Sequence, residues 1–230
     1  MTVTVFLDES GTHAGSARLM IGALVTRDAD ELGRLVYERA QKVLADRGLW
    51  VEIPDKKAAF RRRWFHFNED TESIRTWFSE TLATLNFRAH VCYSERSIGL
   101  DDEDTLVAMY YVVITNIARR YASSEVRLIF EENSALNPLY PRILGEVKDS
   151  LKTHGYSLDR MSGMIGRKPM GGLSAVDYVL AFSEAHLASM QENHRVLPFQ
   201  RARFQSVGPH LAHLIDFDKA MHRHRSGILL

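Results

Sequence analysis

Acidic residues end two apolar stretches of this sequence, where their carboxylates could bind a divalent cation. Residues 3–7 are rich in β-branched and aromatic side chains, as buried strands are, and Asp8 and Glu9 follow them. Residues 126–130 have the same character and lead into Glu131. Asp, Ser and Gly are also common in solvated turns, so a turn remains an alternative for the first acidic pair.

A third acid, Asp177, lies in a stretch whose apolar residues recur at helical spacing. A helical projection places it beside Leu173 and Val176, within or next to a largely apolar face. A buried carboxylate needs a partner, because desolvating its charge is costly. That partner is either a metal shared with the other acids, the dipole at a helix N-terminus, or a nearby base, Arg167 or Lys168.

Taken together, the acids predict one metal site. Asp8, Glu131 and Asp177 would supply oxygen ligands to Mg²⁺ or Mn²⁺, and Glu9 would be an outer ligand or would orient water. Metal pairs about 3.5–4 Å apart stabilise both the attacking and the leaving oxygen in phosphoryl transfer. The predicted chemistry is therefore hydrolysis of a phosphodiester.

Basic and imidazole side chains precede this helix in sequence and could contact a nucleic acid. Arg61, Arg62 and Arg63 stand next to Trp64, which joins phosphate-binding cations to a ring that could stack on a base, although surface charge explains them equally well. His66 could move a proton near neutral pH, or be a polar member of a short strand.

Arg167 and Lys168 could hold a phosphate, and pairing with nearby carboxylates is the alternative. Four further histidines stand near the C-terminus, where a mobile tail is expected: His210, His213, His222 and His224.

Composition indicates one globular domain, with 230 residues, 45% hydrophobic and 25% charged. Lys and Arg together number 29, as do Asp and Glu, so a polyanion would have to meet a local basic patch. The single Cys92, in an apolar run, suggests a buried thiol and a reducing compartment. No stretch approaches the roughly 18 apolar residues of a membrane span, so we expect a cytoplasmic protein without membrane contact.

The hydrophobic pattern predicts alternating strands and helices in a single domain spanning residues 1–230. Residues 50–70 are expected to be an insertion or a loop with a short strand at 64–67, and residues 190–230 a C-terminal extension. The acids at 101–104 could bind a cation, but their place ahead of a helix favours interaction with its N-terminal dipole.

Three motifs resemble those of the domain-of-unknown-function 3800 family, which is assigned to the ribonuclease H-like superfamily. They are Phe-Leu-Asp-Glu-Ser-Gly at 6–11, Leu-Ile-Phe-Glu-Glu-Asn at 128–133 and Gly-Leu-Ser-Ala-Val-Asp-Tyr at 172–178. The resemblance implies an α/β fold: a mixed central sheet with antiparallel opening strands and helices on both faces. It also implies a metal-dependent nuclease centre in which Asp8, Glu131 and Asp177 are ligands and Glu9 is secondary.

The sequence therefore predicts a metal-dependent phosphodiester hydrolase, a nuclease acting on DNA or RNA with Mg²⁺ or Mn²⁺. One alternative is a non-catalytic module that binds nucleic acid or protein on the same fold. Another is a hydrolase of a small nucleotide phosphate, which the neutral net charge favours.

Overall fold

A six-stranded mixed sheet is the centre of the computed structural model, which describes residues 1–13, 15–51, 53–156, 160–190 and 198–225. Its strands are β1 Thr2–Ser10, β2 Leu19–Thr26, β3 Arg88–Ser94, β4 Glu125–Glu131, β5 Met161–Gly166 and β6 Leu211–Asp216. The helices are α1 Ala29–Ala45, α2 Pro54–Arg63, α3 Glu72–Leu82, α4 Asp102–Arg120, α5 Tyr140–Thr153, α6 Gly171–Met190, α7 Pro198–Val207 and α8 Phe217–Arg225. Short 3-10 turns lie at Gly48–Trp50 and Gly208–His210.

The strand order is β5-β4-β1-β2-β3-β6. The strands β1, β2 and β3 are antiparallel neighbours, as expected for strands joined by short local connections. The strand β4 runs parallel to β1, β5 runs parallel to β4, and β6 runs parallel to β3. The C-terminal ends of β1 and β4 therefore lie side by side.

Helices cover both faces of the sheet. Tyr110 of α4 and Ile143 of α5 belong to the apolar core on one face, and Val36 of α1, Phe78 of α3 and Val179 of α6 to the core on the other. The mixed sheet, its antiparallel opening strands and its two helical layers confirm the predicted α/β fold class with a mixed central sheet.

Acidic residues cap two of the helices. The backbone N–H of Glu31 donates to Asp28 at 2.9 Å at the start of α1, and that of Asp104 donates to Asp101 at 2.8 Å at the start of α4. These bonds satisfy N–H groups that lack a partner within the helix. The interpretation of the acids at 101–104 as a helix start is confirmed.

The predicted strand at 64–67 is wrong. Residues 54–63 form α2, and Trp64 then adopts a positive φ of 56°, which a strand does not accommodate. The next backbone N–H groups, of His66 and Phe67, donate to the side chains of Asp70 and Asp177. Because carboxylates take these bonds, the segment is a loop.

The expectation of a mobile C-terminal tail is also wrong for the residues that form β6. This strand extends the sheet beside β3, and His213 within it stacks on the buried His90 with 5.0 Å between ring centroids. The side chains of His222 and His224, with residues 191–197 and 226–230, lie outside the described part of the chain. None of the described helices combines the length and apolar character needed to cross a bilayer.

Candidate active site

Asp8 lies near the end of β1, on the sheet face that α6 covers. Side chains alternate along a strand, so Asp8 shares a face with Phe6, which packs in the core beneath α6, while Leu7 points into the opposite core. Asp8 is 6% exposed, and its Oδ1 accepts a hydrogen bond from the backbone N–H of Glu9 at 2.8 Å. The carboxylate is thus held in a buried position.

Glu131 is the corresponding acid at the end of β4. Leu7 pairs with Phe130 in the parallel register of β1 and β4, which places Asp8 and Glu131 at adjacent strand ends. Glu131 shares its face with Ile129, which belongs to the core beneath α6. Its Oε2 is buried and has no hydrogen-bond partner among the described residues, so this oxygen has unused capacity to accept a ligand.

Asp177 comes to the same place on α6. The helix packs closely on the sheet because glycines leave room: a Cβ at Gly22 would lie 2.7 Å from Val176 Cγ2, and one at Gly172 would lie 2.2 Å from Phe6 Cδ2. The side chain of Asp177 is 16% exposed, and its Oδ2 accepts the backbone N–H of Phe67 at 2.9 Å.

Lys168 joins two of these acids directly. Gly166, the last residue of β5, pairs with Glu131, so the chain that follows β5 begins beside this carboxylate. The Nζ of Lys168 lies 3.2 Å from Glu131 Oε1 and 3.4 Å from Asp177 Oδ2, and its side chain is 8% exposed. Asp8, Glu131 and Asp177 are called the carboxylate cluster from here on.

The electrostatics of Asp8 show that the cluster is crowded. Burial raises the pKa of Asp8 well above its ordinary value, Glu131 and Asp177 raise it further, and Lys168 opposes them. Burial disfavours the charged form of Lys168, but the three carboxylates together raise its pKa. The cluster therefore favours a cation near its centre.

Glu9 projects to the other face of the sheet. The hydroxyl of Tyr110 donates to Glu9 Oε2 at 2.8 Å, and Asn133 Nδ2 donates to Oε1 at 2.7 Å. Burial raises the pKa of Glu9, and these two hydrogen bonds oppose that shift. Asn133 could have been suspected from its place two residues after Glu131, but Tyr110 gives no signal within its apolar stretch.

His66 and Asp70 belong to the loop beside Asp177. The Nδ1 of His66 is buried, lies 4.0 Å from Asp177 Oδ2 and has no hydrogen-bond partner in the part of the chain that the structure describes. Asp70 accepts the hydroxyl of Tyr178 at 2.6 Å and the backbone N–H of His66 at 2.9 Å. Burial raises the pKa of Asp70 to about 6. Asp70 could not be selected from the sequence, because its contacts depend on the path of this loop.

The remaining basic candidates lie outside the ion pairs of the cluster. Arg61 and Arg62 are exposed on α2, whereas Arg63 pairs with Glu69 at 2.8 Å. Arg167 is 76% exposed and pairs with Glu132. Among the predicted basic residues, Lys168 is the one that directly contacts the carboxylate cluster.

A cavity of about 290 Å³ opens next to Asp177. Its lining includes Arg18, Phe67 and Glu184. The Arg18 side chain is 2% exposed and donates to Glu184 at 3.0 Å and to Glu95 at 3.1 Å. The cavity gives the cluster a neighbouring space that a substrate could enter.

The donor set of the cluster suits a hard divalent cation, which prefers carboxylate oxygens. The unpartnered Glu131 Oε2 fits this requirement. Within the described ranges, however, no group of three or more His, Cys, Asp or Glu side chains has the arrangement of a formed metal site. In this structure Lys168 contacts two of the three acids, Glu131 and Asp177.

No protein-family model matches the chain, and no curated protein matches it. Among solved structures, the chain is similar to one in the PCNA:RNase HII complex from Archaeoglobus fulgidus, with 12% identity and a TM-score of 0.47. The alignment covers 90% of this chain and 88% of that chain. A likeness at this level supports no inference about activity, which has to come from the site itself.

Proposed function

We propose that this protein is a metal-dependent phosphodiester hydrolase, a nuclease whose centre is the carboxylate cluster. The observation that carries the proposal is convergence: Asp8 and Glu131 from adjacent strand ends share a sheet face with α6, which carries Asp177. Lys168 bridges two of the three acids, and Glu131 Oε2 lacks a partner. Gathering carboxylates in a buried place is costly, because their charges are desolvated and repel one another, and a nearby cation stabilises the charged cluster.

In this proposal Asp8, Glu131 and Asp177 hold Mg²⁺ or Mn²⁺. A bound divalent cation activates water and stabilises the leaving oxygen of a phosphodiester. The backbone N–H of Phe67 orients Asp177. Tyr110 and Asn133 donate hydrogen bonds to Glu9 and hold it on the opposite face of the sheet from the cluster. In the same proposal His66, whose Nδ1 lies 4.0 Å from Asp177 Oδ2, moves a proton.

We propose a nucleic-acid polymer, DNA or RNA, as the substrate. The exposed Arg61 and Arg62 on α2 can contact phosphates at a distance from the cluster. Arg63 and Arg167 are already paired with acids, so their predicted part in substrate binding requires exchange of those pairs.

Membership of the domain-of-unknown-function 3800 family is part of the same proposal. The motifs at 6–11, 128–133 and 172–178 support it, since they supply the three members of the carboxylate cluster. We also propose a single domain with an insertion at 50–70 and an extension at 190–230, and a cytoplasmic location.

A non-catalytic binding module is the second candidate. The ion pairs of Lys168 favour it, because a permanent ammonium group could compensate the cluster without metal. The third candidate, hydrolysis of a small nucleotide phosphate, is favoured by the equal numbers of basic and acidic residues, 29 of each.

The test is an assay of the purified protein on four polymers and on mononucleotides. Single- and double-stranded DNA and RNA would each be incubated with Mg²⁺, Mn²⁺ or a chelator. The proposal predicts cleavage of at least one polymer only with divalent metal. Cleavage of mononucleotides alone would support the third candidate, and binding of a polymer without cleavage under any condition would support the binding module.

A further inference from the structure

Lys168 is placed where the proposed metal ligands need a positive charge. Its Nζ lies within 3.4 Å of oxygens from both Glu131 and Asp177, and its side chain is 8% exposed. We propose that Lys168 is an internal counterion, which a divalent cation has to displace from Glu131 and Asp177 when it binds. This inference rests on the proposed function, since it takes the carboxylate cluster to be a metal site.

Displacement follows from space and charge. A cation that bridges Glu131 Oε1 and Asp177 Oδ2 would need the volume that the ammonium group occupies between these two oxygens. Two positive charges at such short range also repel, and little water reaches the buried side chain to screen them. The ammonium group and the metal are therefore competing occupants of one position.

The position of Lys168 in the chain makes such an exchange possible. It lies after the end of β5 and before the start of α6, outside regular secondary structure. A flexible four-carbon stem connects its backbone to Nζ, so the ammonium group can move while the backbone stays in place. Its neighbour Arg167 is 76% exposed, which shows that open solvent lies next to this segment.

The exchange also unites two predicted roles of Lys168. Before metal binds, the side chain neutralises the acids that it contacts, Glu131 and Asp177. After displacement, its ammonium group remains beside the cluster and is free to contact a substrate phosphate. Pairing with carboxylates and binding of phosphate are then successive states of one residue.

Competition of this kind has a measurable consequence. Metal that has to displace an ammonium group binds more weakly than metal that enters a vacant cluster, by the free energy of the lost ion pairs. We expect Lys168→Met, which keeps the apolar stem and removes the charge, to bind Mn²⁺ about tenfold more tightly or better. The metal-free variant should melt lower than the wild type, because the crowded acids lose their counterion.

The matched control is Arg167→Met. It removes a positive charge from the adjacent residue, which pairs with Glu132 outside the cluster. Its Mn²⁺ affinity should change by about twofold at most, because an exposed charge is screened by salt. Calorimetric titration and thermal melting with and without Mn²⁺ would be measured on all three proteins, so that the readout does not depend on catalysis.

A second measurement uses the wild type alone and decides the matter if Lys168→Met does not fold. The protein would be treated briefly with an amine-acylating reagent, and labelled lysines would be quantified by peptide mass spectrometry. Mn²⁺ should raise labelling of Lys168 several-fold relative to Lys42, an exposed residue on α1. The same increase in both lysines would indicate general loosening and would overturn the inference.

The outcomes separate this inference from the proposed function. If the wild type binds Mn²⁺, but Lys168→Met binds it no more tightly and Lys168 stays unlabelled, the counterion role is wrong and the metal site stands. If neither the wild type nor Lys168→Met binds Mn²⁺, both the metal site and the displacement are overturned. Tighter binding by Lys168→Met than by Arg167→Met, with metal-induced labelling, supports both.

Discussion

The backbone N–H of Phe67 donates to Asp177 Oδ2 at 2.9 Å, which connects the loop after α2 to the helix that carries the third acid of the cluster. The loop is held in turn by Asp70, which accepts the hydroxyl of Tyr178 and the N–H of His66. Tyr178 follows Asp177 on α6, so the loop and the helix fix each other at two adjacent residues. The orientation of Asp177 therefore depends on residues outside the cluster.

The first prediction concerns the pH dependence that Asp70 contributes to stability. Burial raises its pKa from an ordinary value of 3.8 to about 6 in the folded protein. The folded state then binds the proton more tightly, so this contribution to stability is full below pH 3.8 and is lost as pH rises through about 6. Asp70→Asn should remove a decrease of roughly 3 kcal/mol in the free energy of unfolding over that interval.

Urea unfolding at a series of pH values would measure this difference. Both hydrogen bonds reach Asp70 Oδ2, so an Asn oxygen in the same position can accept them and the loop should be preserved. If wild type and Asp70→Asn had parallel pH profiles, Asp70 would not be the group that titrates.

The second prediction concerns the close approach of α6 to the sheet. A Cβ at Gly22 would lie 2.7 Å from Val176 Cγ2 and 2.9 Å from Leu180 Cγ, so Gly22→Ala has to push the helix outward. We expect a loss of about 1–3 kcal/mol in stability, as for other overpacked cores. Because Asp177 moves with the helix, stabilisation by Mn²⁺ should also shrink.

Gly145→Ala, on α5, is the control. A Cβ at this position would have no described heavy atom within 4 Å apart from its chain neighbours and the backbone of its own helix. It should raise stability by about 0.5–1 kcal/mol and leave the response to Mn²⁺ as in the wild type. Equal effects of both substitutions on the Mn²⁺ response would show that the packing of α6 does not position Asp177.

The strands and helices that carry the acids could be predicted from the sequence because their signals are local. The β-branched run before Asp8 and the run before Glu131 form β1 and β4. The segment at 64–67 forms a loop although its side chains favour a strand, because the backbone N–H groups of His66 and Phe67 donate to the side chains of Asp70 and Asp177. In this segment, tertiary contacts outweigh the preference of the side chains for a strand.

The surroundings of the acids could not be predicted, since they depend on sheet order and register. Lys168 reaches Glu131 because β5 lies beside β4, with Gly166 opposite Glu131, and nothing in the sequence specifies that pairing. Strand alternation predicts that Glu9 points to the opposite face of the sheet from Asp8. Its hydrogen bond with Tyr110 could not be predicted, because the sequence does not show which face α4 covers. That Asp8, Glu131 and Asp177 act in catalysis stays a prediction.

The third prediction separates the arginines of α2. Arg61 and Arg62 are exposed, so replacing both with Ala should change folding little, weaken binding to a nucleic-acid polymer and lower the salt slope by about two. Arg63→Ala should instead lower stability, because Arg63 pairs with Glu69 at 2.8 Å and lies 3.8 Å from the buried Asp70. Binding titrations at several salt concentrations would measure the slopes. Unchanged affinity and slope in the double variant would make Arg61 and Arg62 ordinary surface charge.

The most direct test of the central claim, that the carboxylate cluster holds catalytic metal, is the effect of Asp8→Asn on melting and cleavage with Mn²⁺. The amide oxygen can still accept the Glu9 N–H, while a charge that Glu131 and Asp177 repel is removed, so the metal-free variant should melt at or above the wild-type temperature. Mn²⁺ should raise the melting temperature of the wild type, leave that of Asp8→Asn unchanged, and support cleavage of a polymer by the wild type alone. An Asp8→Asn protein that Mn²⁺ stabilises to the wild-type extent, and that still cuts, would contradict the account.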